Sequence, residues 1–394
     1  MSLKILQVVS CFYPAWAYGG PLKVAYDVSR KLVERGHEVT VYTSDMNNGC
    51  LRTGSRIKEV DGIQVHYFKN ISPLVLKEMK QFITPEMIPV AKREIRGFDV
   101  VHLHEYRTFQ NIIVQHYAKK YRVPYVLQAH GSLPRTIAKQ ELKWIYDVFF
   151  GNRLLRDTSK VIAVNQMEAE QYKSMGMYNE KIEIIPHGID LAEFTDLPKR
   201  GTFRKKCGIN SEEKLILYIG RLHEIKGIDI LMKAYACLAK ELHSTKLVIT
   251  GPDDGYLSTY KELATQLGVE RKILFTGPLY GRDKLEVYVD ADMFVLPSRY
   301  EIFGMTILEA CACAKPVVAT DVCGAARGII MNGSTGFLVQ PENVLELTEA
   351  LRRLLTNEAE SKKMGMQARE RVMNMFSIQN VVVKIENLYK EILR

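Results

Sequence analysis

At 394 residues the chain is longer than a single hydrophobic core serves, so two domains of ordinary size are expected. Its 47% hydrophobic and 25% charged residues are a globular mix, and no apolar run is long enough to span a bilayer. The net charge of +9 attracts anions such as nucleotides or lipid headgroups, but without a long Lys/Arg block it predicts no nucleic-acid partner.

The chain opens with MSLKILQVVSCF, whose apolar residues alternate like a strand and lack the longer apolar region and cleavage site of a signal peptide. A cytoplasmic protein is expected. Seven cysteines, an odd number with no CxxC pair, predict neither a disulfide framework nor a structural zinc site. Cys311 and Cys313 read as buried free thiols.

Strand-like runs then alternate with helix-length segments. LKILQVVS, HEVTVYTS, IQVHYF, DVVHLHE, PYVLQAHG, KVIAVN and IEIIPHG read as strands in the first half. KLILYIG, KLVITG, KILFTG, MFVLPS, PVVAT and GFLV do so in the second. Helices are expected over 22–35, 227–241, 257–267 and 304–314, and near 342–355, 359–375 and 377–393. Buried strands alternating with helices predict α/β domains with parallel sheets. The alternation pauses at PHGIDLAEFTDLPKRG (186–201) and restarts at Leu215. This gives a first domain over 1–190 completed by the terminal helix 377–394, a linker over 191–200 and a second domain over 201–376. In such Rossmann-like domains ligands bind beyond the carboxyl ends of the strands, so a cleft between the domains is the expected site.

The stretch LPRTIAKQELKWIYDVFFGNRLLRDTSK (133–160) mixes basic residues with Trp144, Phe149 and Phe150. It could lie on an anionic membrane surface, but a helix burying one apolar face is the plainer reading. His102 and His104 share one face of a strand, where hydrogen-bonded histidines are expected over a metal pair.

The anion site is read from the second half. In YIGRLHEIKG (218–227) a strand ends at Gly220, and Arg221 and Lys226 follow it, two cations suited to a diphosphate. In PSRYEIFGMTILEACA (297–312) a strand turns at 298–303 and a helix starts at Gly304. The N–H groups around Phe303, Gly304 and Met305 and the helix dipole favour negative charge there. Glu309, two turns in, suits ribose hydroxyls, and Glu301, before the helix, suits a group attached to the diphosphate. The plainer alternative is that Glu301 caps the helix and Glu309 pairs on the surface. Pro252–Asp254 and Leu279–Tyr280 follow strands and are candidate neighbours of a base. Asp290 and Asp292 form a D-x-D pattern, but at the amino end of a strand, where a metal site is not expected.

These motifs resemble the signature of retaining glycosyltransferases of family 4. GRLHEIKG and PSRYEIFGMTILEA carry it, with the E-x7-E spacing intact from Glu301 to Glu309. AYGGP (17–21), RGHEVTVYTS (35–44), DVVHLHE (99–105), AHGS (129–132), IPHGID (185–190) and STGFLV (334–339) follow in family order, so the resemblance covers nearly the whole chain. It implies the GT-B fold: two facing Rossmann-like domains with a central cleft and a last helix crossing back to the N-terminal domain. It implies a nucleotide-sugar donor, UDP- or GDP-linked, held by the C-terminal domain, and a saccharide or lipid-linked acceptor on the N-terminal one. Arg221 and Lys226 would contact the diphosphate, Glu309 the ribose and Glu301 the donor sugar. Gly19 and Gly20 match the family's glycine loop, and His130 its active-site histidine. Retention without a metal or other cofactor is implied, in cell-surface glycan synthesis. Arg327–Gly328 depart from the family, where many members carry a glutamate before the apolar pair ahead of TGFLV. Acceptor identity lies with loops near 13–20, 45–57, 70–90 and 105–110, and no motif specifies an oligomeric state. A nucleotide-sugar epimerase and a non-enzymatic nucleotide-sugar binder are the alternatives on this fold. A glycosidase fits poorly, because its two carboxylates would flank one scissile bond.

Overall fold

A computed structural model describes residues 2–16, 19–47, 51–52, 56–71, 82–135, 140–324 and 326–394. Parts of the expected acceptor loops, including Ala17 and Tyr18 of AYGGP, lie outside these residues. The chain divides into two compact units, Met1–Gly188 with Ile378–Arg394, and Ile189–Ser377.

The first unit begins with β1 (Lys4–Val8), α1 (Gly20–Glu34), β2 (Glu38–Ser44), β3 (Ile57–Val60) and β4 (Ile63–Phe68). It continues through α2 (Met87–Glu94), β5 (Val100–His104), α3 (Phe109–Tyr121), β6 (Tyr125–Gln128), α4 (Gln140–Tyr146) and α5 (Asn152–Asp157). β7 (Lys160–Ala163), α6 (Gln166–Ser174) and β8 (Ile182–Ile184) complete its sheet, in the order β8-β7-β6-β5-β1-β2-β4-β3. All neighbours are parallel except β3 against β4, an edge hairpin that the sequence reading missed together with the short ladder of Met46–Asn47 on Leu51–Arg52. β3 is mostly exposed, so no buried apolar run announced it.

The second unit holds α7 (Thr202–Cys207), β9 (Lys214–Ile219), α8 (Ile228–Leu238), β10 (Thr245–Thr250), α9 (Leu257–Gln266) and β11 (Ile273–Gly277). α10 (Gly281–Asp290), β12 (Met293–Leu296), α11 (Met305–Ala312), β13 (Val317–Thr320), α12 (Ala326–Ile329) and β14 (Gly336–Val339) come next. α13 (Val344–Thr356) and α14 (Glu358–Met375) end the unit, and its six strands are all parallel in the order β11-β10-β9-β12-β13-β14. Leu191–Phe194, within the segment read as a linker, form a 3-10 turn in this unit, with Asp190 capping Ala192 N–H at 3.1 Å. The D-x-D aspartates anchor α7 and the start of β9. Asp290 accepts from the N–H groups of Gly201 and Arg204, and Asp292 from Leu215 N–H at 2.8 Å and the Arg204 guanidinium at 3.1 Å.

α15 (Ile378–Ile392) returns to the first unit and packs against α1. Val381, Val382, Ile385, Leu388 and Tyr389 are its buried stripe, at the spacing of one helix face. Arg35 pairs with Glu386 at 2.6 Å beside it.

The segment around 140–157 corrects the expectation of a helix with one buried apolar face. A π-helical turn at Asp147–Gly151 separates α4 from α5. Leu154 and Leu155 are buried, but Leu142, Trp144, Ile145, Val148, Phe149 and Phe150 all face solvent. Asp147, buried, takes the inward position instead and binds the Arg107 guanidinium through two hydrogen bonds of 2.8 Å.

Candidate active site

In the second unit, the loops after β9, β10 and β12 converge because their glycines permit it. A Cβ on Gly227 would lie 2.0 Å from the Pro297 carbonyl oxygen, and one on Gly251 only 1.8 Å from that of Gly220. Arg299 ties two of these loops together. Its N–H donates to Ile225 O at 2.8 Å, and its guanidinium holds both carboxylate oxygens of Asp229, at 2.8 and 2.9 Å.

This packing brings Lys226 and Glu301 together, with Nζ 2.5 Å from Oε2 and both side chains mostly buried. The residues read separately, one for diphosphate and one for sugar, form an ion pair. Glu301 therefore does not cap the helix. Its backbone is fixed too, since Gly324 N–H donates to Glu301 O at 2.9 Å. Arg221 is half exposed and pairs with Asp254 at 2.8 Å. Asp253 accepts from the N–H groups of Gly255, Tyr256 and Leu257, a turn at the start of α9, so within PDD it is Asp254 whose carboxylate pairs with Arg221.

Gly304 has φ 77°, the left-handed region, and caps α11; a Cβ there would press on Leu296, Ile307 and Cys323. Phe303 is buried just before it, and Met305 opens the helix. Glu309 is buried in the second turn rather than paired on the surface, and it accepts from Lys284 Nζ at 2.7 Å and the Tyr288 hydroxyl at 2.9 Å. The sequence reading missed both partners; their four-residue spacing on α10, which places them on one face, was the available signal. Leu279 is half-buried and Tyr280 exposed ahead of α10. Arg327, at the departure from the family pattern, donates to Asp321 O at 2.7 Å.

In the first unit, Gly19 has φ 95° and caps α1, while Gly20 opens that helix. Nothing lies within 4 Å of a Cβ added to Gly19, so backbone conformation alone calls for glycine. His130 follows β6 with φ 53°. Its Nε2 is 2.8 Å from His104 Nδ1, and its Nδ1 is 2.9 Å from His187 Nε2. His104 in turn meets Gln7, and His102 meets Tyr389, so both strand histidines are hydrogen-bonded as expected. Burial, with the charges of neighbouring histidines, holds His104 and His130 well below the usual histidine value, and burial takes His187 down to about 3.

Glu168 lies under the His130–Gly131 turn, accepting from Gly131 N–H at 2.6 Å and Val164 N–H at 2.8 Å. Burial raises its carboxyl to about 7, although those two donors pull the other way. A carboxyl raised in the fold contributes stability that is complete below its ordinary value and is lost as pH climbs through the raised one. The stability advantage of the wild type over Glu168→Gln is therefore expected to shrink from pH 5 to pH 8 in thermal melts. A difference that stays constant with pH would show that this carboxyl does not titrate in that range.

The described residues include no group of three or more His, Cys, Asp or Glu side chains arranged to hold a metal ion, and no helix long and apolar enough to cross a membrane.

Residues 199–371 match the family described as Glycosyl transferases group 1, and residues 18–193 match Glycosyltransferase Family 4. An uncharacterised glycosyltransferase of Methanocaldococcus jannaschii is 29% identical, over 98% of this chain and 97% of that one. The N-acetyl-alpha-D-glucosaminyl L-malate synthase of Bacillus anthracis is 27% identical, over 100% and 98%. Among solved structures, Anabaena HepE in complex with UDP and glucose superposes with a TM-score of 0.80 at 21% identity, over 99% of this chain and 100% of that one. With a GT-B fold and matches that account for each unit in turn, the chain belongs to the group 1, family 4 glycosyltransferases.

Proposed function

We propose that the chain is a retaining, metal-independent transferase that moves a hexosyl group from a UDP- or GDP-linked donor to a saccharide or lipid-linked acceptor in cell-surface glycan synthesis. The observation that carries this is the Lys226–Glu301 pair beside Arg221 and the start of α11. In this reading the diphosphate draws Lys226 and Arg221 to itself, and the start of α11 adds its dipole. Glu301, released from Lys226, binds hydroxyls of the donor sugar. Glu309 keeps Tyr288 and Lys284 and offers its remaining lone pairs to the ribose. The C1–O bond to the diphosphate breaks, and the acceptor oxygen bonds to C1 on the same face. The acceptor proton passes to the departing phosphate oxygen, so no protein nucleophile is needed. HepE was solved with UDP and with UDP-glucose, which makes UDP the first nucleotide to try.

The test is a thermal-shift screen with UDP, GDP, ADP and their common sugar conjugates in EDTA. A ligand that binds only the folded chain raises its melting temperature. One nucleotide is expected to do so, and Lys226→Ala to weaken it about tenfold or more by calorimetry. No shift with any of them would remove the nucleotide site and the transferase reading with it.

The acceptor side carries a second element, peripheral association with an anionic membrane. Six apolar side chains between Leu142 and Phe150 face solvent, with the exposed cations Arg153 and Arg156 beside them. Aromatic rings with flanking cations suit an interface rich in acidic lipid. Trp144→Ser with Phe149→Ser is expected to abolish most cosedimentation with phosphatidylglycerol vesicles while leaving nucleotide affinity unchanged. Equal sedimentation of wild type and variant would refute this role.

A further inference from the structure

Glu309 puts a carboxylate where the fold otherwise favours anions. It stands in the second turn of α11, below the helix start that Gly304 opens. Two side chains of α10 meet it there. Lys284 Nζ lies 2.7 Å from Oε1 and the Tyr288 hydroxyl 2.9 Å from Oε2. The direction of each hydrogen bond is fixed by the groups themselves. An ammonium only donates. The Tyr288 hydroxyl has a carboxylate on one side and the Thr306 carbonyl oxygen at 3.3 Å on the other, and both only accept. Its proton therefore goes to the nearer, charged oxygen. Tyr288 is fully buried, with its ring 5.9 Å from that of Phe294 on β12. Lys284 lies one turn before it on the same face of α10.

Each carboxylate oxygen has two lone pairs. One donor on each oxygen leaves one acceptor position on each, and 12% of the Glu309 side chain remains exposed for a ligand to reach. Acceptor positions on two oxygens of one carboxylate match hydroxyls on two adjacent carbons. Lys284 also offsets the carboxylate charge, so such a site adds little repulsion toward a diphosphate at the start of α11.

We propose that Tyr288 and Lys284 are positioning residues that hold Glu309 as a two-point acceptor for a vicinal diol, so that the site selects ribonucleotides over nucleotides lacking the 2′ and 3′ hydroxyls. Tyr288 sets the angle of the carboxylate. Without its hydroxyl, Oε2 loses its anchor and the carboxylate turns onto Lys284, where its two free acceptor positions no longer meet both hydroxyls at once. Lys284 anchors the other oxygen and supplies the charge. Without it, Oε1 is loose and the carboxylate faces the phosphates uncompensated.

The inference rests on the nucleotide reading above, and its test separates the two. The measurement is calorimetry in EDTA with UDP, or whichever nucleotide raises the melting temperature, and with the 2′,3′-dideoxy form of the same nucleotide. The wild type is expected to bind the ribonucleotide about 100-fold more tightly than the dideoxy form. Tyr288→Phe is expected to cut that ratio about tenfold, weakening the ribonucleotide and sparing the dideoxy form. Lys284→Met is expected to cut the ratio as well while weakening both ligands through the lost charge, and it serves if Tyr288→Phe does not fold. The ratio decides because a side chain that merely braces α10 against α11 would weaken both ligands alike. An unaltered ratio in the folded variants overturns the positioning role. A wild type that binds the two forms equally overturns the diol site and leaves the nucleotide reading standing. A wild type that binds neither form overturns the nucleotide reading, and this inference with it.

Discussion

Glu301→Ala is expected to stop sugar transfer while nucleotide binding survives or tightens. The carboxylate is paired with Lys226 in a mostly buried site, so its removal leaves a cation facing the space where a diphosphate would sit. That cation favours nucleotide. In the proposed mechanism the hydroxyls of the donor sugar then lose the group that holds them as the bond to phosphate breaks. Removing one such transition-state contact typically costs about 10²- to 10³-fold in kcat. Steady-state kinetics with calorimetry on the same preparation separates the two effects. Lost nucleotide affinity together with lost turnover would mean that the pair is a structural strut. Unchanged turnover would remove Glu301 from the reaction.

Gly227→Ala should cause a large loss of stability. Gly227 has φ 65°, and its added Cβ would sit 2.0 Å from the Pro297 carbonyl oxygen, a backbone atom with no rotamer to turn aside. Left-handed strain and overpacking together suggest about 3 kcal/mol. Gly208→Ala is the control, since Gly208 has φ 64° with nothing within 4 Å of its Cβ. It should lose only about 1 kcal/mol. Calorimetric unfolding of both variants decides the point, and equal losses would show that the approach of the two loops is not what demands glycine.

Much of this was legible in the sequence because buried parallel strands are nearly continuous apolar runs. KLILYI and MFVL announce themselves, and so does the glycine that follows each loop turn. Edge strands do not. Ile57–Val60 carries a solvated pattern and is held by its hairpin partner. The opposed failure was the stretch from Leu142 to Phe150, where apolar residues suggested burial but Asp147 took the inward place through Arg107. Arg221, Lys226, Glu301 and Glu309 were singled out as candidates from their motifs. Their pairing was not legible, because Lys226 with Glu301 and Lys284 with Glu309 are contacts across 75 and 25 residues. The contacts behind His130 were less legible still. Gln7 and Tyr389, which hydrogen-bond to each other, are 382 residues apart, and nothing local marks them as partners.

That separation has a consequence for how the molecule is made. The chain leaves the first unit at Gly188 and re-enters it at Ile378, so the second unit is synthesised whole before the helix that closes the first. Until α15 arrives, the α1 surface it covers stays open and Gln7 lacks its Tyr389 partner. The half that comes off the ribosome first is therefore the half that finishes folding last. A chain released before Ile378 is expected to carry a folded second unit beside a first unit exposed to proteases and chaperones.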